Sequence, residues 1–318
     1  MLKFTKLFWA VDNRGDFPNT QGLSETIKFG DLPYVRGEFK NGYEWASMYP
    51  TVGLHVAQDP AWMTAFINNL GPWLNGWCEK DFSGYFDLDF ETLSLYWEDN
   101  SAEVKQHWHD WNMKNNSYFR RLNPAGYEKF YKDSWNKAMK KFYTAIFAEC
   151  KKQRPNAKFA VFGTPGISYW DHLDPAKFAI AQDRNNRLHW LWKLQDFLMP
   201  ALYATTVISE KPDPTKWWQS TRQAIEDFYN INLNEVARCA CIGGGKEVIV
   251  INCMRNVPLV FAESGIEWAD WDSIDLMFNL PRARGYAVAT WDAIESSSLR
   301  DTMQDFVNKM SDLLMKTK

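Results

Sequence analysis

Apolar and polar positions along this chain switch repeatedly between a period of two and a period near 3.6, which predicts strands and helices in alternation. Residues 7–11 and 53–58 read as strands, and a helix over 60–70 follows the second. Over 85–91 the apolar Phe86, Leu88 and Phe90 alternate with the acidic Asp87, Asp89 and Glu91, so the two sets face opposite sides of one strand. Residues 127–153 carry Tyr127, Tyr131, Trp135, Ala138, Phe142, Ala145 and Cys150 near helical spacing, and Arg154-Pro155 ends that helix. Further strands are predicted at 158–163, 201–205, 247–252 and 286–291. Further helices are predicted at 187–198, 215–240, 271–280 and 299–316.

The alternation runs through the chain without a linker, a low-complexity tract or an internal repeat. It predicts an α/β fold with a parallel sheet closed by crossover helices. At 318 residues the expected form is one domain over 1–318, a (β/α) TIM-like barrel of seven or eight strands. Functional residues in such a barrel sit at the C-terminal ends of strands, which selects Asp89 and Glu91, then Phe162 to Thr164, Tyr203, Asn252 and Trp291.

Composition narrows the chemistry. The formal net charge is -3, so no general attraction to nucleic acid or to an anionic membrane is expected. No apolar run reaches membrane-spanning length. The start, MLKFTKLFWAVDNRG, has an apolar stretch too short for a secretion signal, and the expectation is a cytoplasmic protein as encoded. Release by cell lysis or within a virion stays open. The five cysteines, an odd number, predict a protein independent of disulfides. Cys239 and Cys241 have no second pair beside them, and His107 and His109 are two apart with no third ligand, so neither pair predicts a metal site. Gly243-Gly244-Gly245-Lys246 leads into a strand and lacks the Ser/Thr of a phosphate loop. No cofactor is expected. Seventeen tryptophans are many. Most serve a core, and the rest offer flat stacking surfaces that suit sugar rings.

The acidic strand is the strongest chemical signal. Same-face residues of a strand lie roughly 7 Å apart, so three carboxylates in a row raise the pKa of at least one member. Sugar hydrolysis is the commonest use of a protonated carboxyl beside an ionised one. Glu91, furthest toward the strand end, is the candidate general acid, with Asp89 as its partner. Glu263 and Glu267 follow an apolar run and are candidates for a second carboxylate.

Several motifs, in order, resemble the hyaluronidase family of glycoside hydrolases (family 56). FDLDFE supplies the Asp and Glu of its strand motif as Asp89 and Glu91, with Trp97 and Asn100 following. After the long helix come Arg154-Pro155 and KFAVFGTP. Asn185-Asn186-Arg187-Leu188-His189-Trp190-Leu191-Trp192 then runs into Pro200-Ala201-Leu202-Tyr203, and Trp291 ends the last strand. Asp87-x-Asp89-x-Glu91 also resembles the end of the chitinase family 18 signature, with Gly84 where that signature begins with Asp.

The resemblance implies substrate-assisted retention, in which the N-acetyl carbonyl of the sugar attacks the anomeric carbon. Glu91 would protonate the leaving oxygen, Asp89 and Tyr203 would hold the acetamido group, and Trp291 would pack on its methyl. Asp87, Phe162, Trp97 and Asn252 complete the expected substrate-binding set. Where the family has a Tyr on the strand after Arg-Pro, this chain has Phe162. Arg120, Arg121, Lys193 and Arg255 are candidates for a basic groove. The expected partner is a polysaccharide or oligosaccharide, with neither nucleic acid nor membrane. Two alternatives stay open: a glycosidase with a protein nucleophile such as Glu263 on a sugar lacking N-acetyl, and an inactive sugar-binding or virion barrel.

Overall fold

The computed structural model describes residues 7–9, 12–13, 25–26, 28–31, 38–39, 43–44, 60–76, 78–89, 94–253, 255–256, 258–266, 269–291, 293–294 and 308. The elements that carry the argument follow in chain order. Strands β1 (Leu7–Trp9), β2 (Glu25–Thr26) and β3 (Lys28–Asp31) come first, then helix α1 (Pro60–Asn75) and β4 (Tyr85–Asp89). Next are α2 (Ala102–Asn115), α3 (Tyr127–Gln153), β5 (Lys158–Val161), α4 (Tyr169–His172), α5 (Pro175–Arg187) and α6 (His189–Leu194). β6 (Phe197–Leu198), β7 (Val207–Ile208), β8 (Gln219–Ser220), α7 (Arg222–Ile242) and β9 (Glu247–Cys253) follow. The last are α8 (Pro258–Ser264), α9 (Trp271–Ala283) and β10 (Ala287–Trp291). A five-stranded sheet has the order β2-β1-β10-β9-β6, and a three-stranded sheet the order β3-β4-β5. The strand pairs β1–β10, β1–β2, β9–β10, β9–β6 and β4–β5 are all parallel.

The chain divides into two compact units. One comprises Met1–Phe29, Phe162–Asp183 and Phe197–Lys318; the other comprises Gly30–Val161 and Arg184–Asp196. In the second, the 27-residue helix α3 spans the bounds its periodicity predicts. Its buried stripe runs Trp135, Ala138, Met139, Phe142, Tyr143, Ile146, Phe147 and Cys150, the spacing of one helical face. Phe142 meets Phe66 of α1, and Phe86 of β4 meets Trp73 of α1 and Phe159 of β5. In the first unit, the central strand β9 is buried from Val248 to Cys253. A near-continuous apolar strand is what burial on both faces requires of a parallel sheet.

Several expectations are corrected. The helix expected over 187–198 is two short helices, α5 ending at Arg187 and α6 at Leu194, and Phe197 and Leu198 are strand β6. The strand expected at 201–205 is reduced to a bridge, Ala201 with Ile251. The helix expected from 215 begins at Arg222, where the Thr221 side chain accepts from the Ala224 N–H and caps the first turn. The α2 helix is an addition. It starts at Ser101, whose hydroxyl accepts from the Val104 N–H. His107 and His109 both lie on it. His107 pairs with Glu103, while His109 bonds the Tyr131 hydroxyl at 2.6 Å within a ring of aromatics, so His109 is a packing residue. The triple glycine ends α7: Gly244 and Gly245 have φ of 94° and 81°, and the Gly245 and Lys246 N–H groups return to the Ala240 carbonyl. The strand expected at 53–58 and the helix at 299–316 lie outside the described residues, apart from Asn308.

Candidate functional site

The acidic strand is β4. Its parallel register sets Phe86 beside Phe159, Asp87 beside Ala160 and Leu88 beside Val161. Phe86 and Leu88 are fully buried, and Phe86 points to α1. Asp87 lies on the other face and is also fully buried, so both faces of this strand are covered. Asp89 closes the strand on the same face as Asp87, with its backbone described and its side chain not. Glu91 lies outside the described residues.

The segment after the acidic strand is organised by Asn100. Its carboxamide accepts from the Ser94 N–H at 3.1 Å and donates to the Tyr96 carbonyl at 2.9 Å. The Trp135 indole donates to the Ser94 carbonyl at 3.0 Å. Trp97 is 4% exposed, stacked on Tyr131 at 4.8 Å and edge-on to Trp135 at 5.7 Å. The structure thus puts Trp97 in the packing between this segment and α3.

The Arg-Pro motif has a similar scaffolding part. Arg154 is completely buried and donates to the Asn75 side chain at 2.7 Å, the Cys78 carbonyl at 2.8 Å and the Gln153 carbonyl at 2.9 Å. Those bonds tie the end of α3 to the end of α1 and to the chain leading into β4.

In the other unit the expected residues are set by register. Ala201 bridges Ile251, and Ile251 pairs with Ala289. Two residues further on come Tyr203, beyond the bridge, and Cys253 with its partner Trp291 at the C-terminal ends of β9 and β10. Asn252 pairs with Thr290 and is 1% exposed. The Trp291 backbone is described and its side chain is not. Phe162 and Tyr203, both half-buried, have ring centroids 6.4 Å apart. The Tyr229 hydroxyl on α7 donates to the Tyr203 carbonyl at 3.4 Å. Burial pushes the Tyr229 phenol well above its ordinary pKa, so it remains a donor at any working pH. Sequence reading missed Tyr229, because only the tertiary fold brings α7 under Tyr203.

Other candidates have different surroundings. Glu263 is exposed on α8. Arg120 donates to the carbonyls of Met113 and Lys114 and closes the end of α2, while Arg121 donates to the Ser117 carbonyl in the turn beyond it. Lys193 is exposed and Arg255 half-buried. Among the described residues no group of three or more His, Cys, Asp or Glu could hold a metal ion, and no helix is long and apolar enough to cross a membrane.

Parallel strands alternating with helices, and polar residues at their C-terminal ends, define the class as a (β/α) TIM-like barrel. Comparison with solved structures shows the same fold. Bee venom hyaluronidase matches with a TM-score of 0.65 and 13% identity, over 98% of this chain and 99% of that one. The bee venom enzyme in complex with a hyaluronic acid tetramer gives 0.62 at 15% identity, over 89% and 84%. A broad-specificity endoglucanase of the GH5-4 group from an uncultured bacterium, another TIM barrel, gives 0.50 at 12% identity, over 90% and 69%. In sequence, hyaluronidase conohyal-ad1 of Conus adamsonii is 26% identical over 138 residues, which is 42% of this chain and 37% of that relative. No protein-family model matches the chain.

Proposed function

We propose that this protein is an endo-acting retaining glycoside hydrolase for a polysaccharide containing N-acetylhexosamine, working by substrate-assisted catalysis from a single barrel domain over 1–318. The observation that carries the reading is the acidic strand β4 in a hyaluronidase-like fold, with Asp87 and Asp89 on one face and Glu91 two residues beyond its end. The hyaluronic acid tetramer bound by the bee venom enzyme supports a hyaluronan-like substrate.

In this reading Glu91 donates a proton to the leaving glycosidic oxygen and then takes one from the incoming water. The acetamido carbonyl of the substrate attacks the anomeric carbon, and the ionised Asp89 stabilises the positive charge that develops on the ring it forms. Tyr203 and Trp291 orient and pack the acetamido group.

Glu91→Gln tests the reading directly. Reducing ends released from hyaluronan, chondroitin and chitin oligomers should fall by about 10²–10⁴-fold, the usual worth of a positioned acid. Equal turnover by both proteins on every cleaved substrate rules out the role of Glu91. Phe162 favours a second reading, a protein nucleophile acting on a sugar without N-acetyl. A labelled peptide containing Glu263 after trapping with a fluorinated glycoside would establish it.

A further inference from the structure

Two tryptophans stand apart from the packed ones. Trp170 and Trp217 are 47% and 40% exposed, and their rings meet edge-on with centroids 5.8 Å apart. They are 47 positions apart in sequence (217 minus 170), so the fold has brought them together.

The base under them is rigid. Tyr169 begins α4 and Trp170 follows it; Tyr169 is 7% exposed and edge-on to Trp170 at 5.0 Å. The Tyr169 hydroxyl and the Ser220 hydroxyl lie 2.9 Å apart, which fastens the α4 turn to strand β8. Phe228 of α7 supports Tyr169 from below at 5.2 Å. On the Trp217 side, Asp213 accepts from the N–H and hydroxyl of Thr215, and the Val207 N–H donates to the Trp218 carbonyl. The backbone of each tryptophan is therefore held while its indole faces water. An arrangement of this kind binds a flat ligand face without first losing conformational entropy.

Position identifies the ligand. Trp170 lies on the loop and turn that follow Phe162, and Trp217 on the loop that follows Tyr203. The first segment follows β5 and the second joins β7 to β8, so each leaves the C-terminal end of a strand paired in parallel, the end that carries function in a barrel. The charged residues flanking Trp217 are Glu210 and Asp213 against Lys211 and Lys216, so the loop has no net charge with which to select a polyanion. Aromatic faces beside balanced polar groups suit the C–H face of a pyranose ring, which is apolar on its flat side and ringed by hydroxyls.

We propose that Trp170 and Trp217 form an outlying sugar-stacking subsite that holds a polysaccharide chain beyond the reacting residue. This rests on the glycosidase reading above for the class of ligand and adds where the chain is gripped.

The test is affinity electrophoresis of the full chain through gels holding high-molecular-mass hyaluronan, chondroitin or glycol chitin. The wild type should be retarded by at least one polymer. Trp170→Ala with Trp217→Ala should weaken that retardation at least tenfold, Trp170→Phe with Trp217→Phe should keep most of it, and Trp271→Ala, at another exposed tryptophan, should leave it unchanged. An unchanged alanine double variant, equal loss in Trp271→Ala, or a wild type retarded by none of the three would overturn the proposal. So would sedimentation showing a dimer that the alanine pair abolishes without any glycan retardation. The outcome is separable from that of Glu91→Gln, because Glu91→Gln should lose turnover while keeping its retardation.

Discussion

The Arg187 guanidinium donates to the Glu98 carboxylate at 2.7 Å, across 89 positions of sequence. The bond is one of a set. The Tyr96 hydroxyl donates to the Asn185 side chain at 2.9 Å, and Arg184 pairs with Asp99 at 3.1 Å. The two stretches in question, 96–100 and 184–192, are the pieces of the family resemblance that follow the acidic strand and precede Tyr203. In the structure they brace one another. Their residue types answer to a scaffold demand: they fix the segment that leaves the acidic strand.

Glu98→Gln should destabilise the protein by about 1–2 kcal/mol at pH 7, the worth of charge-assisted bonds to a partly buried group. Burial raises the Glu98 pKa, but its backbone bond, Arg187 and Lys132 outweigh burial and hold it below the ordinary value. A carboxyl lowered on folding contributes stability above its unfolded pKa of about 4.3 and loses it as pH falls through the folded value. Urea unfolding should therefore separate the two proteins at pH 7, with the gap closing below about pH 4.

Arg154→Met should be more costly, about 3 kcal/mol, since three bonds of one buried side chain vanish together at roughly 1 kcal/mol each. Arg154→Lys should recover little of that loss, because a point donor cannot reproduce the fork that reaches Gln153 from Nη1 and both Asn75 and Cys78 from Nη2. Thermal unfolding of the three proteins measures it. A lysine variant as stable as the wild type would mean the fork geometry is unimportant.

One thiol should react quickly with a disulfide reagent at pH 8 in the native protein, and five after unfolding. Cys241 is exposed, while Cys78, Cys150, Cys239 and Cys253 are buried. Burial pushes the Cys150 and Cys239 thiols up to about 12, so little reactive thiolate forms at pH 8. Cys241→Ser should abolish the fast phase.

Phe162→Tyr places a hydroxyl on the ring next to Tyr203. If the acetamido group is bound here, one added hydrogen bond of about 1.4 kcal/mol should raise kcat/KM about tenfold on N-acetylated polymers, and leave sugars without N-acetyl unchanged. Parallel kinetics on both substrate classes decide it, and a gain on neither class removes Phe162 from the acetamido pocket.

Local pattern was sufficient for α3 and β4. Trp135, Phe142 and Cys150 recur at helical spacing, and Phe86 and Leu88 at strand spacing, so the periods alone place these elements. It failed over 187–198. There the apolar run Trp190-Leu191-Trp192, followed by Leu194, Phe197 and Leu198, continues a helix on paper. In the fold, the Gln195 side chain accepts from the Val161 N–H at 2.6 Å and Asp196 from the Phe159 N–H at 2.7 Å. Strand β5 thus takes two of its hydrogen bonds from side chains that the local sequence marks only as polar. Trp97 shows the same limit: the family resemblance marks it as a candidate substrate contact, and only the fold shows its packing against Tyr131 and Trp135 of α3.

The sequence by itself determined the alternation of strand and helix, the two-sided face of β4 and the order of the motifs, because each depends on neighbours within a few positions. Tertiary structure alone decided that Asn100, Arg154 and Arg187 are braces, that Tyr229 supports Tyr203, and that Trp170 meets Trp217. Those contacts join residues 4 to 89 positions apart, and the longer ones depend on how crossover helices return the chain, a geometry that no local period encodes.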